Sequence, residues 1–196
     1  MLKVGITGGM GSGKSTICAI FESLKIPVYY SDDRAKALMI SPKIKSKIQE
    51  YFGKNIYKDN NELDRKLLAE IVFNDKSKLD KLNSIVHPAV FEDFRKWVKT
   101  HQNYPYIIKE AALMFESKSY KELDFVVNVN APIEVRIKRI LERDKSSRKQ
   151  ILERINKQFT DKKRSELANY TIINNGKKLL IPQILKLHEI LIQINN

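Results

Sequence analysis

A run of glycines and hydroxyls opens the chain: Gly8-Gly9-Met10-Gly11-Ser12-Gly13-Lys14-Ser15. It fits the pattern G-x-x-x-x-G-K-[ST] at every fixed position. Glycines let a backbone turn tightly and bring its N–H groups against phosphate oxygens with no Cβ in the way. A helix starting near Lys14 adds its positive end to the same place. The Lys14 ammonium can bridge terminal phosphates, the Ser15 hydroxyl can ligate Mg²⁺, and Thr16 can reach a more internal phosphate. Gly9, Met10, Gly11, Ser12, Gly13, Lys14, Ser15 and Thr16 are therefore the candidate nucleotide-binding residues, with ATP and Mg²⁺ as the implied co-substrate and metal. The loop leaves the phosphate acceptor open, because kinases, GTPases and motor ATPases all use it.

Ser31-Asp32-Asp33 follows the second apolar segment. In a doubly wound sheet the carboxyl ends of the strands line the ligand crevice. A carboxylate there can accept the proton of an attacking hydroxyl. Asp32 is the candidate base, although an aspartate at this point also suits a helix cap. Asp33 fits ordinary first-turn helix chemistry. Glu110 follows the apolar stretch 106–108, a place where an acidic residue can hold Mg²⁺ through water.

These residues need elements to carry them. Residues 2–7 read as a buried strand feeding the glycine loop, and Ile17, Ile20, Phe21 and Leu24 have helical spacing. Residues 28–30 form a second short strand before a helix through Ala35, Leu38 and Met39, which completes a βαβ unit. Residues 42–100 look helical, with breaks near Gly53 and at an Asp59-Asn60-Asn61 turn. Continuous apolar runs at 106–108 and 125–129 suit strands covered on both faces. Pro132 opens a helix to about Asp144, a charged helical stretch follows, and a strand at 170–173 precedes a last amphipathic helix. The expected architecture is a single α/β domain, three-layered, with a mostly parallel five-stranded sheet. Its core comprises 1–41, 101–133 and 167–196, with a helical insert at about 42–100 and a basic helical segment at about 134–166.

Composition narrows the classes. The 196 residues, 42% of them hydrophobic, exclude a disordered or collagen-like chain. One cysteine, Cys18, excludes a disulfide framework and any multi-cysteine metal site. Apolar runs fall short of a bilayer span, and no signal-peptide pattern opens the chain, so a cytoplasmic protein without membrane partners is expected. The net charge of +13 points to an anionic partner. Residues 134–166 hold twelve basic and six acidic residues, close to half of that surplus. No aromatic-interleaved basic platform or helix-turn-helix signature accompanies the charge, so nucleic acid is not the expected partner.

The sequence resembles the dephospho-CoA kinase family over nearly its whole length. The blocks that carry the resemblance are Gly5 to Thr16, Ser31-Asp32 with Ala35, Phe52-Gly53, Asp64-Arg65-Lys66-Leu67, and Leu82-Asn83 with His87-Pro88. Ala112-Leu113-Met114-Phe115-Glu116, Arg139 with Arg143-Asp144, Gln158 and Asn174 complete them. The resemblance implies a P-loop kinase fold in which 42–100 binds the acceptor and 134–166 is a lid. It implies ATP-dependent phosphorylation of the ribose 3′-hydroxyl of dephospho-CoA. On this basis Arg139 is the lid-base arginine that acts with Lys14 and Asp32 in catalysis, and Thr7 helps position the reacting groups. Arg143 and Asn174 join the nucleotide contacts, while Arg65, His87 and Glu116 join Asp32 around the acceptor. The family usually has Asp-Ala-Asp where this chain has Tyr30-Ser31-Asp32, a proline at Ala112 and an aspartate at Asn169. Neither composition nor the resemblance fixes an oligomeric state.

Overall fold

The computed structural model describes residues 1–60, 62–73, 75–144 and 146–195. In chain order the first elements are β1 (Leu2–Gly8), α1 (Lys14–Ser23), β2 (Val28–Tyr30), α2 (Ser31–Met39) and α3 (Pro42–Phe52). Then come α4 (Arg65–Phe73), α5 (Lys76–Lys99), β3 (Tyr106–Glu110), β4 (Phe125–Asn130) and α6 (Ile133–Arg143). The chain ends with α7 (Arg148–Asn156), α8 (Asp161–Leu167), β5 (Tyr170–Ile173) and α9 (Leu180–Asn195). Asn61, the last residue of the expected turn, lies outside the described residues, and Asp59 and Asn60 are in a turn. The chain divides into two compact units, Met1–Tyr30 with His101–Asn196, and Ser31–Thr100. Helix α2 belongs to the second unit, whereas the sequence reading grouped 31–41 with the core.

The first unit is α/β. Its five strands form a wholly parallel sheet in the order β2-β3-β1-β4-β5. β1 lies at the centre, with Ile6 opposite Glu110 on one side and Val127 on the other. Parallel strands buried on both faces need apolar residues of both parities, and β1, β3 and β4 supply them. On one face Val4, Ile6, Tyr106, Ile108 and Val127 pack against Ile17 and Phe21 of α1 and Ile184, Leu187 and Leu191 of α9. On the other face Val126 packs with Ala111, Met114 and Phe115, flanked by Phe159 and Ala168. Gly5 of β1 lets the Met114 and Leu123 side chains close onto the strand, where a Cβ would force Met114 Sδ and Leu123 to shift. Strand β3 runs two residues further than its apolar run, through Lys109 and Glu110, and both are buried. Asn169, where the resemblance leads one to expect aspartate, is structural. Its backbone N–H donates to Val126 O and its Oδ1 accepts from Val126 N–H, both at 2.8 Å.

The second unit is helical. Asp64 caps α4, its Oδ1 accepting from Lys66 and Leu67 N–H at 3.1 and 3.0 Å. Asp75 caps α5 by accepting from Lys78 N–H at 3.1 Å, which satisfies one of the unpaired N–H groups of the helix start. Helix α5 continues through Pro88, and Arg34 of α2 forms a two-pronged pair with Asp93 of α5 at 2.8 and 2.6 Å. The Tyr57 hydroxyl donates to Met39 O at 2.7 Å and is pushed up to about 12 by burial.

Two predictions follow from this packing. Phe21 is fully buried and edge-on to Tyr106 at 6.3 Å. Phe21→Ala is expected to lower unfolding free energy by about 3–5 kcal/mol, read from the urea midpoint at constant slope. A loss below about 1 kcal/mol would mean that this face is not a close-packed core. His87 is half-buried, and burial lowers its pKa below the ordinary 6.5. The unfolded histidine therefore takes a proton before the folded one, so stability is lost as the pH falls below the unfolded value. Between about pH 7.5 and about pH 5.5 the urea midpoint should fall less in His87→Gln than in the parent. Equal falls would remove His87 from the acid response.

Candidate active site

Strand β1 ends at Gly8 and α1 starts at Lys14, so residues 9–13 are the loop between a central strand and a helix N-terminus. Three left-handed or tightly approached positions shape it. Gly11 and Gly13 have φ of 78° and 93°, and Gly13 precedes α1 as its cap. Gly9 is pressed against the Arg136 guanidinium, where a Cβ would overlap the group. Ser12 N–H donates to Gly9 O at 3.0 Å, closing the turn. Lys14 Nζ donates to Gly8 O at 3.1 Å and stands 4.0 Å from Glu110 Oε1. Ser15 and Thr16 are exposed in the first turn of α1, while Thr7 Oγ1 and Ser12 Oγ are buried without a hydrogen-bond partner among the described residues.

The loop is held from outside. Asn174, just beyond β5, donates from Nδ2 to Ser12 O at 2.8 Å. Its Oδ1 accepts from Arg139 Nη2 at 3.0 Å, and Arg139 Nη1 lies 3.5 Å from Ser12 O. Gly13 leaves the space that Asn174 fills. Thus Arg139 and Asn174, 35 residues apart in sequence, meet on the same peptide of the loop. Arg136, one turn earlier on α6, donates from Nε to Met10 O at 2.9 Å. Its Nη1 donates to Asp161 Oδ1 and Oδ2 at 2.9 and 3.1 Å. Arg164 binds the same Asp161 and the carbonyl of Phe159. Both arginines are only 2% exposed. Burial lowers the Arg136 pKa, Asp161 opposes that effect, and Arg164 adds to it. Gln158 reaches the loop from the link between α7 and α8, its Oε1 accepting from Met10 N–H at 2.8 Å.

The remaining residues of the first unit fall into two groups. Glu110, 9% exposed at the end of β3, stands beside Lys14. Glu116 Oε1 accepts from Phe159 N–H at 2.7 Å, and its Oε2 is buried without a hydrogen-bond partner among the described residues. Arg143 is largely exposed and forks onto neighbouring Asp144 at 2.8 and 3.0 Å, away from the bonds that hold the loop. Tyr30, in place of an aspartate, donates its hydroxyl to Glu22 Oε2 at 3.0 Å. Burial and then that bond raise its pKa, so it remains a phenol and supplies no second carboxylate.

Three expected residues lie in the second unit. Asp32 is the second residue of α2, directly beyond the end of β2, and it is exposed. Arg65 is the first residue of α4 after the Asp64 cap, also exposed. His87 is on α5, immediately before Pro88.

Sequence reasoning singled out Gln158 without a role and passed over Arg136, Asp161 and Arg164. A signal for Arg136 was present. Arg136 and Ile140 are four residues apart, and with Ile137 they form the buried face of α6, so a charge sits on the apolar stripe. A charge in that place requires a buried partner. Which partner it finds depends on a contact 25 residues away, which no local spacing encodes.

Among the described residues no helix is long and apolar enough to cross a membrane, and no group of three or more His, Cys, Asp or Glu side chains gathers for a metal. The arrangement suits an anion: an N-terminal helix end, an ammonium and a guanidinium gathered about a glycine loop. Known proteins agree with this geometry. Bacteroides fragilis dephospho-CoA kinase is 38% identical over 193 residues, covering 98% of this chain and 94% of its own. Its Porphyromonas gingivalis counterpart is 36% identical over 191 residues, 96% of this chain and 94% of its own. The solved dephospho-CoA kinase of Campylobacter jejuni superposes with a TM-score of 0.73 at 25% identity, covering 99% and 98% of the two chains. An Acinetobacter baumannii shikimate kinase, 18% identical with a TM-score of 0.53 over 98% of this chain and 94% of its own, shares the P-loop kinase fold. The family model for dephospho-CoA kinase matches residues 2–179, and the chain belongs to that family.

Proposed function

We propose that the chain transfers the γ-phosphoryl group of ATP to the ribose 3′-hydroxyl of dephospho-CoA, giving CoA and ADP in the last step of CoA synthesis. The observation that carries this reading is the glycine loop on β1–α1, braced by Asn174 and accompanied by Arg139, in a chain that matches the family along residues 2–179.

Phosphoryl transfer asks the protein mainly for positioning and for charge opposite the moving group. Loop N–H groups and the α1 terminus would cradle the ATP phosphates, with Ser15 and Thr16 in its first turn and Lys14 on the terminal phosphates. Arg139 presents a planar fork, better matched to a phosphoryl group than an ammonium. Arg143 and Asn174 complete the nucleotide contacts. Arg65 and His87, with Glu116 through its remaining Oε2, hold the acceptor in this reading. Asp32 takes the 3′-hydroxyl proton as the hydroxyl oxygen bonds to phosphorus and the bond to ADP breaks. Thr7 Oγ1, buried beneath the loop end of β1, supports the position of the reacting groups.

The residues present fit Mg²⁺. This ion keeps several waters and takes few protein ligands besides substrate phosphates, and the exposed Ser15 hydroxyl with the Glu110 carboxylate beside Lys14 offers such a set. When bound, Mg²⁺ neutralises charge on the transferring phosphates. A cytoplasmic location and small-molecule substrates, with no nucleic acid, belong to the same reading.

ADP release measured across dephospho-CoA, AMP, CMP and shikimate should respond to dephospho-CoA alone. Turnover with another acceptor and none with dephospho-CoA would overturn the assignment. Asp32→Asn should lower kcat by about 10²–10⁴-fold while KM for ATP stays within about threefold. A kcat near that of the parent would remove Asp32 as the base.

A further inference from the structure

The phosphate loop is touched twice at one residue. Met10 donates its N–H to Gln158 Oε1 at 2.8 Å and accepts at its carbonyl from Arg136 Nε at 2.9 Å. The two side chains come from opposite ends of the basic segment 134–166: Arg136 from the first turns of α6, Gln158 from the link between α7 and α8. They are joined to each other as well. Asp161, the first residue of α8, takes both Arg136 and Arg164, and Arg164 holds the carbonyl of Phe159, next to Gln158. Phe159 N–H is fixed in turn by Glu116, and Gln158 Nε2 lies 3.4 Å from Ala112 O. Ile137, Ile140, Ile151 and Ile155 of α6 and α7 close over the Met10 side chain.

Each of these features has a simpler explanation alone, but not together. A buried arginine needs a carboxylate wherever it is, and Asp161 would satisfy Arg136 without any bond to the loop. Spending its Nε on Met10 O, with Gly9 kept free of a Cβ to admit the guanidinium, ties the pair to the loop instead. A glutamine could likewise satisfy itself in water, yet Gln158 takes the Met10 N–H. That N–H belongs to the peptide before the Met10 α-carbon and the carbonyl to the peptide after it, so the two side chains fix the peptide planes on both sides of Met10.

We propose that Arg136 and Gln158 are positioning residues that clamp Met10, one on each of its two flanking peptides, between the two roots of the lid, setting the shape of the phosphate loop for ATP. Asp161 acts through Arg136. The clamp rests on the nucleotide-binding part of the function proposed above and is independent of which acceptor is used.

The test is a double-substitution cycle on the full chain with Arg136→Met and Gln158→Met, which remove the bonds at similar volume. Calorimetric titration with MgATP reads the loop directly, without an acceptor. Steady-state kinetics then separate KM for ATP from KM for dephospho-CoA. Each single variant should weaken ATP binding by about tenfold or more with KM for dephospho-CoA within about twofold. Because both side chains hold the same residue, one through each flanking peptide, the double variant should stay well short of the roughly hundredfold product of the singles. If Arg136→Met does not fold, Asp161→Asn replaces it in the same cycle. The clamp is overturned if folded variants bind ATP within about twofold of the parent, if the two KM values rise together, or if the losses multiply. A parent protein that binds ATP but leaves dephospho-CoA unphosphorylated would overturn the proposed function and leave this test intact.

Discussion

A loop that binds phosphate through its backbone must keep N–H groups pointed at the anion, so it cannot be stabilised by the hydrogen-bond ladders that hold strands and helices. Everything around residues 9–13 answers that constraint. The side chains that hold the loop address mainly its carbonyl oxygens: Lys14 at Gly8, Arg136 at Met10, Asn174 and Arg139 at Ser12. Carbonyls are the groups an anion cannot use. These bonds hold the loop without taking its N–H groups, Gln158 on the Met10 N–H being the exception, and they arrive from α1, α6 and the residue after β5.

The positive charge gains a different meaning in this light. The surplus of basic residues in 134–166 is not a free field. Arg136 and Arg164 share Asp161, Arg148 pairs with Glu134 at 2.7 Å, and Arg143 lies on Asp144. Pairs such as Lys138–Glu142 at 4.0 Å are exposed and contribute little. The cations at the loop carbonyls are held in the same way, Lys14 on Gly8 O and Arg139 beside Ser12 O and on Asn174.

Much of the architecture was legible because it rests on local rules. Apolar periodicity placed all five strands, and Pro132 and Gly13 marked helix starts that the structure keeps. The strand–loop–helix setting of Lys14 and Ser15 likewise follows from ten consecutive residues. Three features were not legible. Lys109 and Glu110 are polar, so the pattern ended β3 too early, although pairing with β1 continues through them. Glu116 and Phe159 are 43 residues apart, and Met10 and Gln158 148 apart. Such contacts follow from how layers stack, which periodicity does not specify. The substitution of Tyr30 for aspartate was visible, but its bond to Glu22 on α1 was not.

Gly9 and Arg136 also constrain the order in which this chain could change. With the guanidinium seated against its α-carbon, Gly9 cannot acquire even a methyl group while Arg136 remains. A smaller residue at 136 would remove that obstruction, while Asp161 would still be required by the buried Arg164. Positions 9 and 136 are thus coupled: the guanidinium must leave before the loop gains a side chain at 9.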